Sequence, residues 1–157
     1  MHINPDHFLQ TETGRVITPE LNRLAWEKSY AALEEALLRA TTSTKVFVLV
    51  GAQGAGKSTW AKARGTATSD AILFDAILVK RAERERILGA AKARSVGVVA
   101  VWFRTPLEVC LARNASRPAD EVVPEQAVRN VFAAVEPPST VEGFEQVLEV
   151  FCNETHA

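Results

Sequence analysis

The chain has 157 residues, with 18 basic and 19 acidic side chains and a formal net charge of −1. That length suits one domain with a real core, and near-neutral charge gives no whole-protein attraction to nucleic acid or an anionic membrane. No apolar run approaches the roughly 20 residues of a membrane span, and the opening six residues lack the basic-then-apolar pattern of a signal peptide. Cys110 and Cys152 have no metal-ligand spacing and read as buried free thiols, in keeping with a reducing cytoplasm. His2, His7 and His156 are scattered along the chain, which argues against a zinc site.

In chain order, residues 1–18 are polar and turn-rich apart from Ile3, Phe8, Leu9, Val16 and Ile17. Thr18 and Pro19 open a helix as its cap and first residue. Trp26, Tyr30, Leu33 and Leu37 then recur at helical spacing, to about Arg39. Residues 46–50 (Val-Phe-Val-Leu-Val) form an unbroken apolar run, the pattern of a strand buried on both faces. Gly51, Ala52, Gln53, Gly54, Ala55, Gly56, Lys57 and Ser58 follow at once and spell G-x-x-x-x-G-K-S, a complete phosphate-binding loop. Its glycines let backbone N–H groups close around phosphate oxygens. Lys57 can reach the β and γ phosphates, and Ser58 can ligate Mg²⁺. A helix from Ser58 to about Gly65 completes strand, loop and helix, so a nucleoside triphosphate site is expected. No base-specific motif separates ATP from GTP.

Residues 71–74 form a second buried strand ending at Asp75. In parallel sheets ligands bind beyond the carboxyl ends of the strands, so Asp75 is placed to hold Mg²⁺, directly or through water. Asp70 falls at the far end of the same strand. Residues 80–94 read as a helix. Its Lys80, Arg81, Arg84 and Arg86, with Lys92 and Arg94, form a basic cluster that could contact a phosphorylated or polyanionic acceptor; Glu83 and Glu85 interrupt it, which is more the pattern of a solvated, self-paired face. A strand over 96–103, a helix from Pro106 to about Ser116, a loop to Val123 and a helix opened by Pro124 follow. Val128, Val131, Phe132 and Val135 share one face of that last helix, and residues 147–151 are the final strand. Trp26, Trp60 and Trp102 are dispersed and suit core or partial burial better than base stacking. Strands alternating with helices predict a three-layer α/β P-loop domain with a mainly parallel sheet of about five strands.

Beyond the loop, residues 46–151 resemble the polynucleotide-kinase-like (zeta-toxin-like) group of P-loop kinases. The resemblance is carried by Phe74-Asp75-Ala76 with Arg84 and Arg86 on the next helix, by the run from Thr105 to Pro118, and by Val123-Pro124-Glu125 and Val141-Glu142-Gly143-Phe144-Glu145. It implies a lid near 113–123 whose Arg113 and Arg117 close on the ATP phosphates, and a contact from Thr59 to the α-phosphate. Ile77-Leu78 stand where that group carries Thr-Asn. The group's general-base strand and its helix do not fit between Arg64 and Asp75. A similar unit lies at the N-terminus, where residues 2–8 look like the missing strand with Asp6 as its general base, and the helix 19–39 looks like the one that follows. The resemblance thus implies one domain over 1–157 in rewired order, an N-terminal unit over 1–44 and a phosphate-loop core over 45–157. The expected function is transfer of the γ-phosphate of ATP, with Mg²⁺, to a hydroxyl of a small molecule or nucleic-acid end. Charge does not indicate nucleic acid, and the acceptor is open. The alternatives are a hydrolytic or a non-catalytic nucleotide-binding module.

Overall fold

The computed structural model describes residues 1–65 and 70–152. Five strands form one parallel sheet: β1 (His2–Ile3), β4 (Lys45–Val50), β5 (Ala71–Asp75), β6 (Gly97–Phe103) and β7 (Gln146–Val150), in the spatial order β1-β5-β4-β6-β7. A separate hairpin, β2 (Gln10–Thr11) with β3 (Gly14–Arg15), precedes the first helix. The helices are α1 (Pro19–Leu38), α2 (Lys57–Gly65), α3 (Arg81–Ala93), α4 (Leu107–Ala115) and α5 (Glu125–Ala133).

The alternation of side chains along a strand divides the core into two layers. Val46, Val48 and Val50 of β4 face α1 and α3, packing with Leu33, Leu37, Ile87 and Ala91. Phe47 and Leu49 face the other side, with Ala61 of α2, Cys110 of α4 and Val128 of α5. The expected three-layer parallel α/β fold is the observed one, and the phosphate-loop strand β4 lies at its centre.

The N-terminus joins the sheet edge more briefly than residues 2–8 suggested. His2 and Ile3 pair with Leu73 and Phe74, the Met1 ammonium donates to the Ala71 carbonyl at 2.8 Å, and Ile3 is buried. Pairing then stops because Pro5 has no N–H to donate. The Asn4 side chain accepts from the Asp6 N–H at 2.9 Å and starts a 3₁₀ turn, Pro5–Phe8. Asp6 therefore sits on a turn just past the strand. Leu9 is buried, whereas Phe8 is exposed. At the other end Phe151 lies beyond β7 and is exposed, so the last strand stops one residue short of expectation.

The solvated-face reading of the α3 arginines fails at Arg84, which is 0% exposed. Its guanidinium donates to both Glu142 oxygens, at 2.9 and 2.8 Å, and to the carbonyls of Leu78, Val79 and Glu136 at 3.0, 3.1 and 3.1 Å. Arg84 shares a helix face with Ile87, Leu88 and Ala91, which turns it inward. Arg86 and Arg94 are exposed and pair across to Glu27 and Glu34 of α1, not to Glu83 or Glu85.

Candidate functional site

The segment between β4 and α2 closes into a loop that only its own residues permit. Gly54 has φ +79°, and a Cβ there would lie 2.3 Å from the Cys110 carbonyl oxygen; Gly56 has φ +103°. The backbone asks for glycine at both positions, and space asks for it at Gly54. The buried Thr105 hydroxyl donates to the Ala55 carbonyl at 2.8 Å and ties the loop to the end of β6. Lys57 is 9% exposed, and its ammonium donates to the carbonyls of Gly51 and Ala52, at 2.6 and 3.4 Å. Burial pushes that ammonium below the usual lysine range, while Asp75 and, more weakly, Asp6 act in the opposite direction.

Asp75 ends β5 beside the loop, as the sequence placed it. Its Oδ2 accepts from the Ser58 hydroxyl at 2.7 Å, the Asn4 amide at 3.3 Å and the His2 Nε2 at 2.9 Å. Burial works to raise this carboxyl; the His2 hydrogen bond, Lys57 and Ser58 outweigh it and hold Asp75 below the ordinary carboxylate value. His2 in β1 and Asn4, still extended just past it, lie two residues apart and so share a face. His7 stacks edge-on against His2 with ring centroids 5.0 Å apart. The first two histidines are therefore neighbours, not scattered; His156 lies outside the described residues.

A cleft of about 750 Å³ opens over the loop and is lined by Ala52 to Thr59, Asp6, Asp75, Arg113 and Arg117, among others. All the loop residues named from the sequence except the buried Gly51, the carboxylates and both arginines thus share one cavity. Arg113 is on α4, but Arg117 lies past its end, so the two reach the cleft from a helix and from the loop after it. Gln53 Oε1 and Arg113 Nε are buried without hydrogen-bond partners, as groups awaiting a polar ligand would be. Asp6 pairs with Arg15 at 3.4 Å.

Several cleft residues carried no readable signal. Asn22 and Trp26 of α1 enter from a helix whose spacing spoke only of packing. Cys152 is half-buried, lines the cleft and accepts from Arg113 Nη2 at 2.7 Å, which corrects its reading as a buried thiol. Cys110 is buried as expected, and burial pushes its thiol up to about 11. The loop after α4 is stapled by Asn114, which exchanges hydrogen bonds with the Val123 backbone at 2.8 and 3.1 Å. It is also tied to the hairpin, because Asp120 accepts from the Arg15 N–H at 2.7 Å and Glu121 from the Arg15 guanidinium at 3.2 Å.

The Ser58 hydroxyl and the Asp75 carboxylate are hard oxygen donors beside the loop. No group of three or more His, Cys, Asp or Glu gathers to hold a metal among the described residues. Two protein oxygens fit Mg²⁺, which keeps several waters and takes its other ligands from substrate phosphates.

A family model described as an AAA domain matches residues 62–138, a little under half of the chain. The match runs from α2 through α5 and leaves the phosphate loop and the N-terminal unit outside it. No curated protein matches the chain. The matched stretch, the parallel sheet and the loop between β4 and α2 together define a P-loop nucleotide-binding domain. Among the described residues no helix is long and apolar enough to cross a membrane.

Proposed function

We propose that the chain is a kinase that moves the γ-phosphate of ATP to an alcohol, of the polynucleotide-kinase-like kind, with β1 standing in for that group's general-base strand. The observation that carries this reading is Asp6 lining the same cleft as Ser58, Asp75, Arg113 and Arg117. A module that only binds nucleotide has no need of a carboxylate beyond the one at the metal position.

Phosphoryl transfer asks the protein for positioning and charge neutralisation more than covalent chemistry. The backbone of residues 51–58 cradles the phosphates, with Thr59 at the α-phosphate, and Lys57 exchanges its carbonyl partners for phosphate oxygens. Ser58, with Asp75 behind it, would hold Mg²⁺, which would supply charge neutralisation to the phosphates. Because Ser58 donates to Asp75 at the end of β5, the γ end of the nucleotide would lie toward the β1–β5 flank. Asp6 takes the acceptor hydroxyl proton as the new oxygen–phosphorus bond forms and the bond to the departing ADP breaks. Arg113 and Arg117 stabilise the charge spread over the transferring group. We place this activity in the cytoplasm.

Two features favour a second reading, nucleotide binding or hydrolysis without an acceptor: the Arg15–Asp6 pair and Ile77-Leu78 in place of Thr-Asn. Transfer of label from γ-labelled ATP with Mg²⁺ to a panel of alcohols decides between them. Label on an acceptor, lost in Lys57→Ala, is the kinase result. Label released only as inorganic phosphate, or bound ATP that never turns over, is the other.

A further inference from the structure

The two flanks of the cleft differ in charge, and the difference bears on the acceptor. Its basic wall residues are Lys57, Arg113 and Arg117. Lys57 lies under the phosphate loop, Arg113 is on α4 beside Cys152, and Arg117 is on the loop that follows, which Glu121 ties to Arg15. The β1–β5 flank is walled by Asn4, Asp6, Asn22, Trp26, Ile77 and Glu83, without a basic side chain among the described residues. Three cations of the neighbouring elements have other partners. Arg84 is buried against Glu142. Arg86 lies over the Tyr30 ring at 3.8 Å, and Arg15 spans Asp6 and Glu121.

An anionic acceptor would thus bring its charge against Asp6 and Glu83 once the nucleotide occupies the three basic residues, and like charges at close range repel. A nucleic-acid end needs a basic track for its backbone, which this flank lacks. What it offers is a flat aromatic wall. Trp26 is half-buried, and Tyr30 and Phe74 pack against it at 5.8 and 6.2 Å, which fixes its ring. Such a ring accepts the apolar face of a cyclic molecule. Glu83 accepts the Lys80 N–H on Oε1 at 2.9 Å, and its carboxylate lines the cleft as an acceptor for a hydroxyl or amine.

Resting on the kinase reading, the geometry points to an acceptor that is a small cyclic alcohol without negative charge, neutral or amine-bearing, lying on Trp26 with its hydroxyl toward Asp6. Nucleic-acid ends and phosphorylated sugars are rejected.

The test uses the full chain with Mg²⁺ and has two readouts. Ligand-observed NMR on protein loaded with a non-hydrolysable ATP analogue reports binding, and γ-label transfer from ATP reports chemistry. The probes are kanamycin and adenosine against glucose 6-phosphate and a 5′-hydroxyl oligothymidine. Binding and labelling confined to the first pair support both the acceptor class and the kinase. Binding of the first pair without label keeps the acceptor class and removes the kinase. Label on either anionic probe keeps the kinase and overturns the acceptor class, and no binding by any probe overturns both. Trp26→Ala should weaken kanamycin or adenosine about tenfold or more with ATP affinity unchanged, and Trp26→Phe should restore most of the loss. Equal weakening of ATP would mark Trp26 as merely structural.

Discussion

Replacing Arg84 by methionine should be among the most damaging single changes outside the phosphate loop. The side chain is fully buried and donates five hydrogen bonds, two of them to Glu142, which is itself 3% exposed. Methionine keeps most of the volume but leaves three carbonyls without the Arg84 donor and a buried carboxylate with only the Ser139 N–H. Breaking a buried pair by removing one partner costs about 3–5 kcal/mol. For a chain of this size each kcal/mol moves the thermal midpoint by about 2–4 °C, so the drop should be about 6–20 °C. Most of that cost is the stranded charge, so Arg84→Met with Glu142→Leu should recover more than half of it. Calorimetry of the four members of this double-mutant cycle gives the coupling directly. A single-mutant loss under about 1 kcal/mol, or a double mutant no better than Arg84→Met, would refute the argument that Arg84 clamps residues 78–79 to residues 136–142.

Three further outcomes follow from the site. Thr105→Val removes the donor to the Ala55 carbonyl and should cost about 1–2 kcal/mol in urea unfolding, with weaker ATP binding because the loop loses its tie; unchanged ATP affinity would free the loop from β6. Lys57→Met should abolish ATP binding by titration calorimetry while leaving the thermal midpoint no lower than the parent, because burial already disfavours its charge; a clear drop in midpoint would contradict that sign. Asp75 titrates below the ordinary carboxylate value of about 3.9. Its contribution to stability is therefore present above about pH 4 and lost as pH falls through the lower folded value. His2→Ala removes the largest of the influences that lower it. The stability difference between parent and variant in urea should be clear at pH 6 and shrink at pH 3; a difference that grows on acidification would sink the His2–Asp75 pairing.

Much of this was written locally in the chain. The β4–loop–α2 unit was legible because strand pattern, glycine positions and Lys57-Ser58 are consecutive, and Asp75 because an apolar run stops there. The misses share a physical cause, which is that the deciding partner is distant in sequence. Arg84 sits among Glu83, Glu85 and Arg86 and reads as surface; only Glu142 and the 78–79 carbonyls make it interior. His2 and Asn4 serve Asp75 across 73 and 71 residues. The hairpin over residues 10–15 has two-residue strands, too short to show a period, and its anchor is Asp120. Trp26 follows the core spacing of α1 faithfully, and the same ring also walls the cleft.

The most direct test of the kinase account compares parent and Asp6→Asn on one labelled acceptor, with Mg·ATP affinity measured alongside. On that account Asp6 takes the acceptor proton and does not hold the nucleotide, so affinity should hold within about twofold while transfer falls by about 10²–10⁴. Transfer at the parental rate in Asp6→Asn, or a parallel collapse of ATP affinity, would contradict it.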